Sequence, residues 1–486
     1  MRSIQLKTLI IILLTGWLFQ SCTDDSANDA GISADEFNSR RGGRGGGGNN
    51  GNGNNGGNED NQNVEDLEND ILQDWTALLL DLERYAGGMR PNASARALAY
   101  IYMTAYETAV PGMRGYISNS EKYDELEINA LPDRADVDYE LALNNAFALA
   151  IDHFLINVPD DLNTRINAFK LENEEILSSG LSDEIITTSN GWGQYIAEQV
   201  IAYSLTDEAA EAQITDPQPS SYEPPTGEGF WTYSADPERA LFPYWETVRT
   251  FVISSEETRT VAPLAYSEDI DNPYYEQMSE VVTANNTARD EQNDQLHIAE
   301  FWSDDVEGLM MSPPARQVSI ANQLIDQYDL DLEESLELFL KLGFSLNDAA
   351  VSTWADKYEY MVMRPSNFIH AFIDPSFQTN LYRLIYWPNP SFPGYPSGHS
   401  CFASAAAGIF IDAFGNQTQF TDKTHEGRTE FLGEPRSYNS FKAMADENGY
   451  SRIPLGVHIR MDCTEGLRLG YEISKAVSKL QLRRNL

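Results

Sequence analysis

Three short strings near the C-terminal end of this 486-residue chain hold residue types that can do chemistry on an oxyanion. The first is Lys357-Tyr-Glu-Tyr-Met-Val-Met-Arg364-Pro365 and the second is Pro396-Ser397-Gly398-His399. The third runs from Ser451-Arg452 through Pro454 and Gly456 to His458 and Asp462. Together they supply three cations (Lys357, Arg364, Arg452), two imidazoles (His399, His458), the Ser397 hydroxyl, and Gly398, where a bare backbone can approach an oxygen. Guanidinium forks and an ammonium suit a tetrahedral oxyanion such as phosphate or vanadate. An imidazole nitrogen can bond its central atom.

Helices must position these groups. Leu346 to Met363 reads as a helix with Ser345 or Asn347 as its N-cap and Pro365 as its stop. On it Lys357 and Arg364, seven residues apart, share a face with Trp354. Two cations on a half-buried face need anionic partners. Pro393 to Gly398 is a turn-rich approach to an Ala-rich apolar helix that runs to Phe414. The first turn of that helix presents Ser397, Gly398 and His399, and its free N–H groups and positive dipole end favour an anion. A bend at Pro454 and Gly456 precedes a helix from about Val457, on which His458 and Asp462, four apart, face the same way. Each string alone also fits an ordinary helix cap or surface ion pair.

The rest of the chain bounds what such a site could serve. The net charge of -42 argues against nucleic acid or anionic lipid headgroups as partners, since both need a cationic face. An anionic substrate is repelled by the molecule as a whole, so the site must create a local positive potential. At the N-terminus Arg2 and Lys7 precede an apolar run, Thr8 to Phe19, too short to span a bilayer, which takes ~20 residues. Ser21-Cys22 then resembles a bacterial lipoprotein cleavage site. The expectation is an exported lipoprotein held by a lipidated Cys22, in the outer membrane, on the cell surface or facing the periplasm, with no transmembrane helix in the mature chain. Residues 1–22 read as the signal and 23–64 as a disordered Gly/Asn-rich tether. Residues 65–486 read as one helical domain with an N-terminal half (65–270) and an oxyanion-binding half (271–486).

Helical periodicity marks Val64–Tyr85, Asn92–Ala109, Val137–Ile156, Asp160–Ser178, Ile185–Tyr203, a start near Tyr275, Pro313–Ile325 and Leu332–Leu342 with Asp331 as cap. Asp207–Pro263 reads as a long ordered loop, either a lid or a surface excursion. No hairpin signal stands out. In Ile298–Asp304, Glu300 or Asp304 could orient a site imidazole. Cys401 and Cys463 read as buried thiols, with a disulfide between them left open.

Taken jointly, the strings resemble a known signature: Lys, six residues, Arg-Pro; Pro-Ser-Gly-His; Ser-Arg, five residues, His, three residues, Asp. It is shared by vanadium-dependent haloperoxidases, the bacterial iodoperoxidases among them, and type 2 phosphatidic acid phosphatases. The resemblance implies an all-α helical bundle of the haloperoxidase/acid phosphatase type with long ordered loops. It implies vanadate as cofactor, and hydrogen peroxide and a halide (iodide favoured, then bromide) as substrates giving hypohalous acid. By the same resemblance His458 is the vanadium ligand, while Lys357, Arg364, Arg452, Ser397 and Gly398 bind the oxyanion. His399 is the acid/base residue, Lys357 polarises the oxidant and Asp462 is a support. Trp354 and Phe392 match aromatic pocket positions, and the lack of a histidine at Phe392 argues against the algal bromoperoxidase subgroup. The phosphatases use the same strings with His458 as phosphorylated nucleophile, so an acid phosphatase is the alternative reading; a catalytically silent tethered binding protein is a third.

Overall fold

The computed structural model describes residues 64–484 apart from 132–135, 234–237, 292 and 385–388. The expected export signal, Cys22 and the expected tether lie outside the described residues, except the tether's last residue, Val64, which is instead buried in a 3-10 turn (Val64–Asp66). Among the described residues the elements are helices, apart from one two-stranded ribbon. The N-terminal half holds α1 (Asp70–Glu83), α2 (Asn92–Ala109), α3 (Tyr139–Phe154), α4 (Asp160–Leu177), α5 (Asp183–Leu205) and α6 (Glu208–Thr215). The C-terminal half begins with α7 (Pro273–Glu291), α8 (Asp294–Phe301), α9 (Pro313–Tyr328), α10 (Leu332–Tyr360) and α11 (Pro365–Phe372). It continues with α12 (Gly398–Phe414), β1 (Phe420–Asp422), β2 (Arg436–Tyr438), α13 (Phe441–Leu455) and α14 (Arg460–Val477).

Two central helices join the halves. α2 is mostly apolar or small and is buried along its whole length, and its two charged residues are paired inside: Arg96 donates to Glu211 (2.9 Å) and Glu107 accepts from the Asn119 N–H (2.7 Å). It packs on α10 where Gly343 leaves room: a Cβ there would lie 2.9 Å from the Cα of Ala99. α10 starts at Asp331, whose carboxylate accepts from the Glu334 N–H at 2.8 Å, and runs unbroken for 29 residues. This corrects the sequence reading, which divides it at Leu342. Gly343 weakens the helical signal there, but burial against α2 carries the helix through it.

α12 lies against α10, α13 and α14. Its contact with α14 is made of small residues: a Cβ on Gly466 would strike the Ser397 carbonyl, one on Gly470 the Ser404 hydroxyl and the Cys401 carbonyl, and one on Gly408 the Ser474 hydroxyl. The two backbones therefore approach closely at the turn that opens α12. Cys401 and Cys463 are both buried and free, with no disulfide.

Asp207–Pro263 is neither structureless nor a plain excursion. It contains α6 and a 3-10 turn, and it straps α10 down. The Asp348 carboxylate accepts the N–H groups of Phe251 (2.8 Å), Val252 (2.9 Å) and Ile253 (3.1 Å), and Asp356 accepts from Thr260 N–H and Arg259, both at 2.9 Å. Its own Trp231, Phe242 and Trp245 are fully buried. The antiparallel pairing of β1 with β2, Thr421 opposite Ser437, is the other departure; three-residue strands are too short to show alternation.

Candidate functional site

The three strings converge on one buried place. Lys357 lies in the last turn of α10, fully buried. Its ammonium donates to the carbonyls of Pro393 (2.9 Å), Gly394 (3.0 Å) and Pro396 (2.5 Å), which uses all three of its donors. The lysine thus ties α10 to the turn before α12. Arg364 reaches the site differently from the two-turn spacing the sequence predicts. α10 ends at Met361 in a left-handed cap (φ 51°), the chain reverses, and Arg364 stands at the start of α11, with Pro365 as that helix's first residue rather than a mere stop. Its guanidinium donates to the carbonyls of Phe392 and Val457 (both 3.0 Å) and meets His458 Nε2 at 3.1 Å.

Ser397 is the N-cap of α12, its hydroxyl accepting from the Ser400 N–H at 3.3 Å, and Gly398 and His399 form the first turn as predicted. Arg452 lies in the last turn of α13, which contains Pro454 and ends at Gly456 (φ 94°). His458 precedes α14 rather than riding on it. Asp462 is the third residue of that helix and accepts from the Ile459 N–H (3.2 Å) and from His458 Nδ1 (3.0 Å), so a capping arrangement, not a shared helix face, brings the pair together. Because the carboxylate holds the Nδ1 proton and Arg364 donates toward Nε2, His458 is neutral with its Nε2 lone pair turned to the cations.

Sequence reasoning missed one acidic partner. Arg452 donates to the carbonyls of Trp302 (3.3 Å) and Ser303 (3.1 Å) and pairs with Asp305 at 2.7 Å. His399 Nε2 lies 2.8 Å from the same Ser303 carbonyl, and Asp305 is 3.9 Å away. Neither expected orienter bonds a site imidazole: Glu300 pairs with Arg383 at 2.7 Å, and Asp304 faces Arg316. Asp305 stands one residue beyond the aromatic–acidic stretch that attracted notice, and nothing in its spacing tells it from Asp304.

A cavity of about 320 Å³ opens onto this cluster. Arg452, His399, His458 and Gly398 stand at its polar end, and Trp354, Phe392, Leu241 and Phe402 give it apolar walls. The Trp354 and Phe392 rings lie 4.8 Å apart, and the Lys357 ammonium and Arg364 guanidinium sit 5.1 and 5.0 Å from the Phe392 ring.

Residues 337–484 match the family model of the VCPO second helical-bundle domain. A bacterial vanadium-dependent iodoperoxidase structure superposes with a TM-score of 0.75 at 24% identity, over 85% of this chain and 97% of that one. Holo and apo forms of a bacterial vanadium-dependent chloroperoxidase give TM-scores of 0.62 and 0.59, each at 14% identity over 81% of this chain and 92% and 96% of theirs. No curated protein matches the chain in sequence. The fold is that of the vanadium haloperoxidases.

Within that haloperoxidase fold, the charge balance at the site calls for a guest. Lys357, Arg364 and Arg452 are all fully buried, with Asp305 and Asp462 as the nearby carboxylates, which leaves positive charge in excess. Burial, then repulsion from Arg364 and Arg452, pushes the Lys357 ammonium well below its usual value; burial brings Arg364 down to about 9. Burial and then Arg364, Lys357 and Arg452 hold His458 well below the ordinary imidazole value. Two guanidinium nitrogens, Arg364 Nη2 and Arg452 Nε, are buried without a hydrogen-bond partner. A small oxyanion seated among them would satisfy these donors and offset the excess charge, with His458 Nε2 placed to bond its central atom. The residues present fit vanadate, and they fit phosphate for the same reasons.

Proposed function

We propose that the protein is a vanadate-dependent haloperoxidase that oxidises a halide with hydrogen peroxide to hypohalous acid, with iodide the favoured halide and bromide next. The observation that carries this reading is the buried excess of cations around a neutral His458 whose Nε2 faces them. When bound, vanadate supplies a Lewis-acidic centre that activates hydrogen peroxide toward halide. Arg364 and Arg452 would hold its oxygens, Ser397 and the Gly398 N–H would add donors, and His458 Nε2 would be its protein ligand. His399, pushed down to about 4 by burial and by Arg452, is neutral at physiological pH and suited to accept a proton from the incoming peroxide. Lys357 contributes charge more than a free donor, since its three N–H bonds already go to carbonyls. The apolar walls leave room for halide.

The export signal, Cys22 and the Gly/Asn-rich tether support a lipid-anchored enzyme outside the cytoplasm. Among the described residues no helix is long and apolar enough to cross a membrane.

The test is reconstitution. The apoprotein is loaded with vanadate and assayed for peroxide-dependent iodide and bromide oxidation, and beside that for p-nitrophenyl phosphate hydrolysis without vanadate. We expect vanadate-dependent halide oxidation, with phosphate slowing the loading. Phosphate ester hydrolysis without halide oxidation would establish the phosphatase reading, with His458 as nucleophile, and neither activity would leave a silent binding protein.

A further inference from the structure

Arg452 and His399 both take their orientation from one turn. The Trp302 and Ser303 carbonyls accept from Arg452, and the Ser303 carbonyl also accepts from His399 Nε2 at 2.8 Å. Whatever holds this turn decides where the guanidinium and the imidazole stand. The turn follows the last residue of α8, and its backbone is irregular, with Asp304 in the left-handed region (φ 45°). Its side chains do little to fix it. The Ser303 hydroxyl and both Asp304 carboxylate oxygens have no hydrogen-bond partner. Asp305 bonds to Arg452 itself. The Trp302 indole therefore makes the side-chain hydrogen bond that does not depend on the group being placed.

That indole N–H donates to Glu447 Oε1 at 3.0 Å. Glu447 lies on α13, five residues before Arg452, which is about 7.5 Å along the same helix axis. One helix thus grips the turn twice, at its backbone through Arg452 and at its side chain through Glu447. Glu447 is itself fixed. Arg436 of β2 clasps both its oxygens, Nε to Oε1 and Nη2 to Oε2 at 2.7 Å each, and the Tyr438 hydroxyl donates to Oε1 at 2.6 Å. Arg436 also pairs with Asp294, the first residue of α8, at 2.8 Å. The ribbon and α13 therefore hold α8 at its start and at the turn beyond its end. An ion pair that served only to join β2 to α13 would need neither the indole nor Asp294. The Trp302 ring is fully buried against Phe301 and Tyr438, with the Arg316 guanidinium over it, so it cannot swing away without opening close packing.

We propose that Glu447 is a positioning residue of the oxyanion site: its hold on the Trp302 indole fixes the two carbonyls that orient Arg452 and His399. On the haloperoxidase reading, on which this inference rests, losing that bond misplaces Arg452 against bound vanadate and His399 against the incoming peroxide. Outer partners of this kind commonly change affinity 10- to 100-fold without touching the guest, as a rough range.

The test titrates full-chain apoproteins with vanadate, and separately with inorganic phosphate, by calorimetry. Glu447→Ala should weaken binding roughly 10-fold, and so should Trp302→Phe, which keeps a ring but deletes the N–H. The double variant should bind no worse than the weaker single, because both remove one bond. Glu447→Gln should recover most of the affinity, since its amide oxygen still accepts from the indole, although it loses the Arg436 ion pair and with it some stability. Arg383→Gln, which breaks the Arg383–Glu300 pair of α8, should lower stability and leave affinity at the parent level. Parent-level binding in Glu447→Ala, additive losses in the double variant, no recovery in Glu447→Gln, or equal weakening in Arg383→Gln would overturn the assignment. If Trp302→Phe does not fold, the comparison of Glu447→Ala with Glu447→Gln decides it. A parent that binds vanadate but oxidises no halide would overturn the haloperoxidase reading instead, and the affinities would still decide the role of Glu447.

Discussion

At the scale of single residues the site is a set of cations waiting for oxygen atoms, with one imidazole made neutral for them. His458 stays unprotonated below its ordinary value, because burial and three nearby cations all disfavour its charged form. Protons should therefore not compete with oxyanion loading as pH falls through 6.5; the His458 ring signals of the apoprotein should show no titration there. His458→Ala removes the central-atom bond and should abolish vanadate binding, read by calorimetric titration, while melting behaviour stays close to the parent; binding of vanadate at parent affinity would refute the ligand assignment. The residue types of this cage were legible in the sequence because function demands them in fixed order. What escaped was Asp305, because a carboxylate that pairs with Arg452 from a separate segment leaves no mark in local spacing. The three carbonyl partners of Lys357 escaped for the same reason: backbone oxygens have no letter in a sequence.

At the scale of elements, the helices best read in advance were those with long, uniform patterns. Asn92–Ala109 was bounded correctly at both ends. The errors fall where tertiary contacts override local signals. α10 continues through Gly343 because α2 covers it, and its left-handed end at Met361 sets the position of Arg364, which periodicity alone would place on the same helix face as Lys357. α8 and α11, eight residues each, are too short for periodicity to separate from loop. The glycines of α14 carry a consequence for the site. Gly466 lies against the Ser397 carbonyl, so a methyl group there must push the opening turn of α12 away. Gly466→Ala should destabilise the protein by about 1–3 kcal/mol in denaturant titration. It should also weaken vanadate binding, although Gly466 contributes no group of its own to the oxyanion site. Binding of vanadate at parent affinity by this variant would show that the turn does not set the oxyanion site.

At the scale of the whole molecule, the proposed function has a chain of net charge -42 draw in an anion. Long-range repulsion is screened over about 10 Å at 0.1 M salt but reaches about 30 Å at 0.01 M. We expect kcat/KM for iodide to rise with ionic strength across that range, while the dependence on hydrogen peroxide, which is neutral, stays flat. A flat iodide response would mean that the local cations already dominate the approach. The all-α class could be read from periodicity; the strap at 207–263 could not, because its aromatic and acidic residues bury against α10 without a period of their own. The site also belongs to both halves. The loop between α1 and α2 places Gly88, Arg90 and Pro91 at the cavity rim, Gly88 N–H donates to Glu307 at 3.0 Å, and Arg84 O accepts from Gly308 N–H at 2.8 Å. That stretch continues directly from the Ser303 carbonyl and Asp305 that hold Arg452. Filling the cage should therefore slow amide hydrogen exchange in the 84–91 loop, a segment of the other half, and the degree of slowing would measure how far the two halves open as one unit.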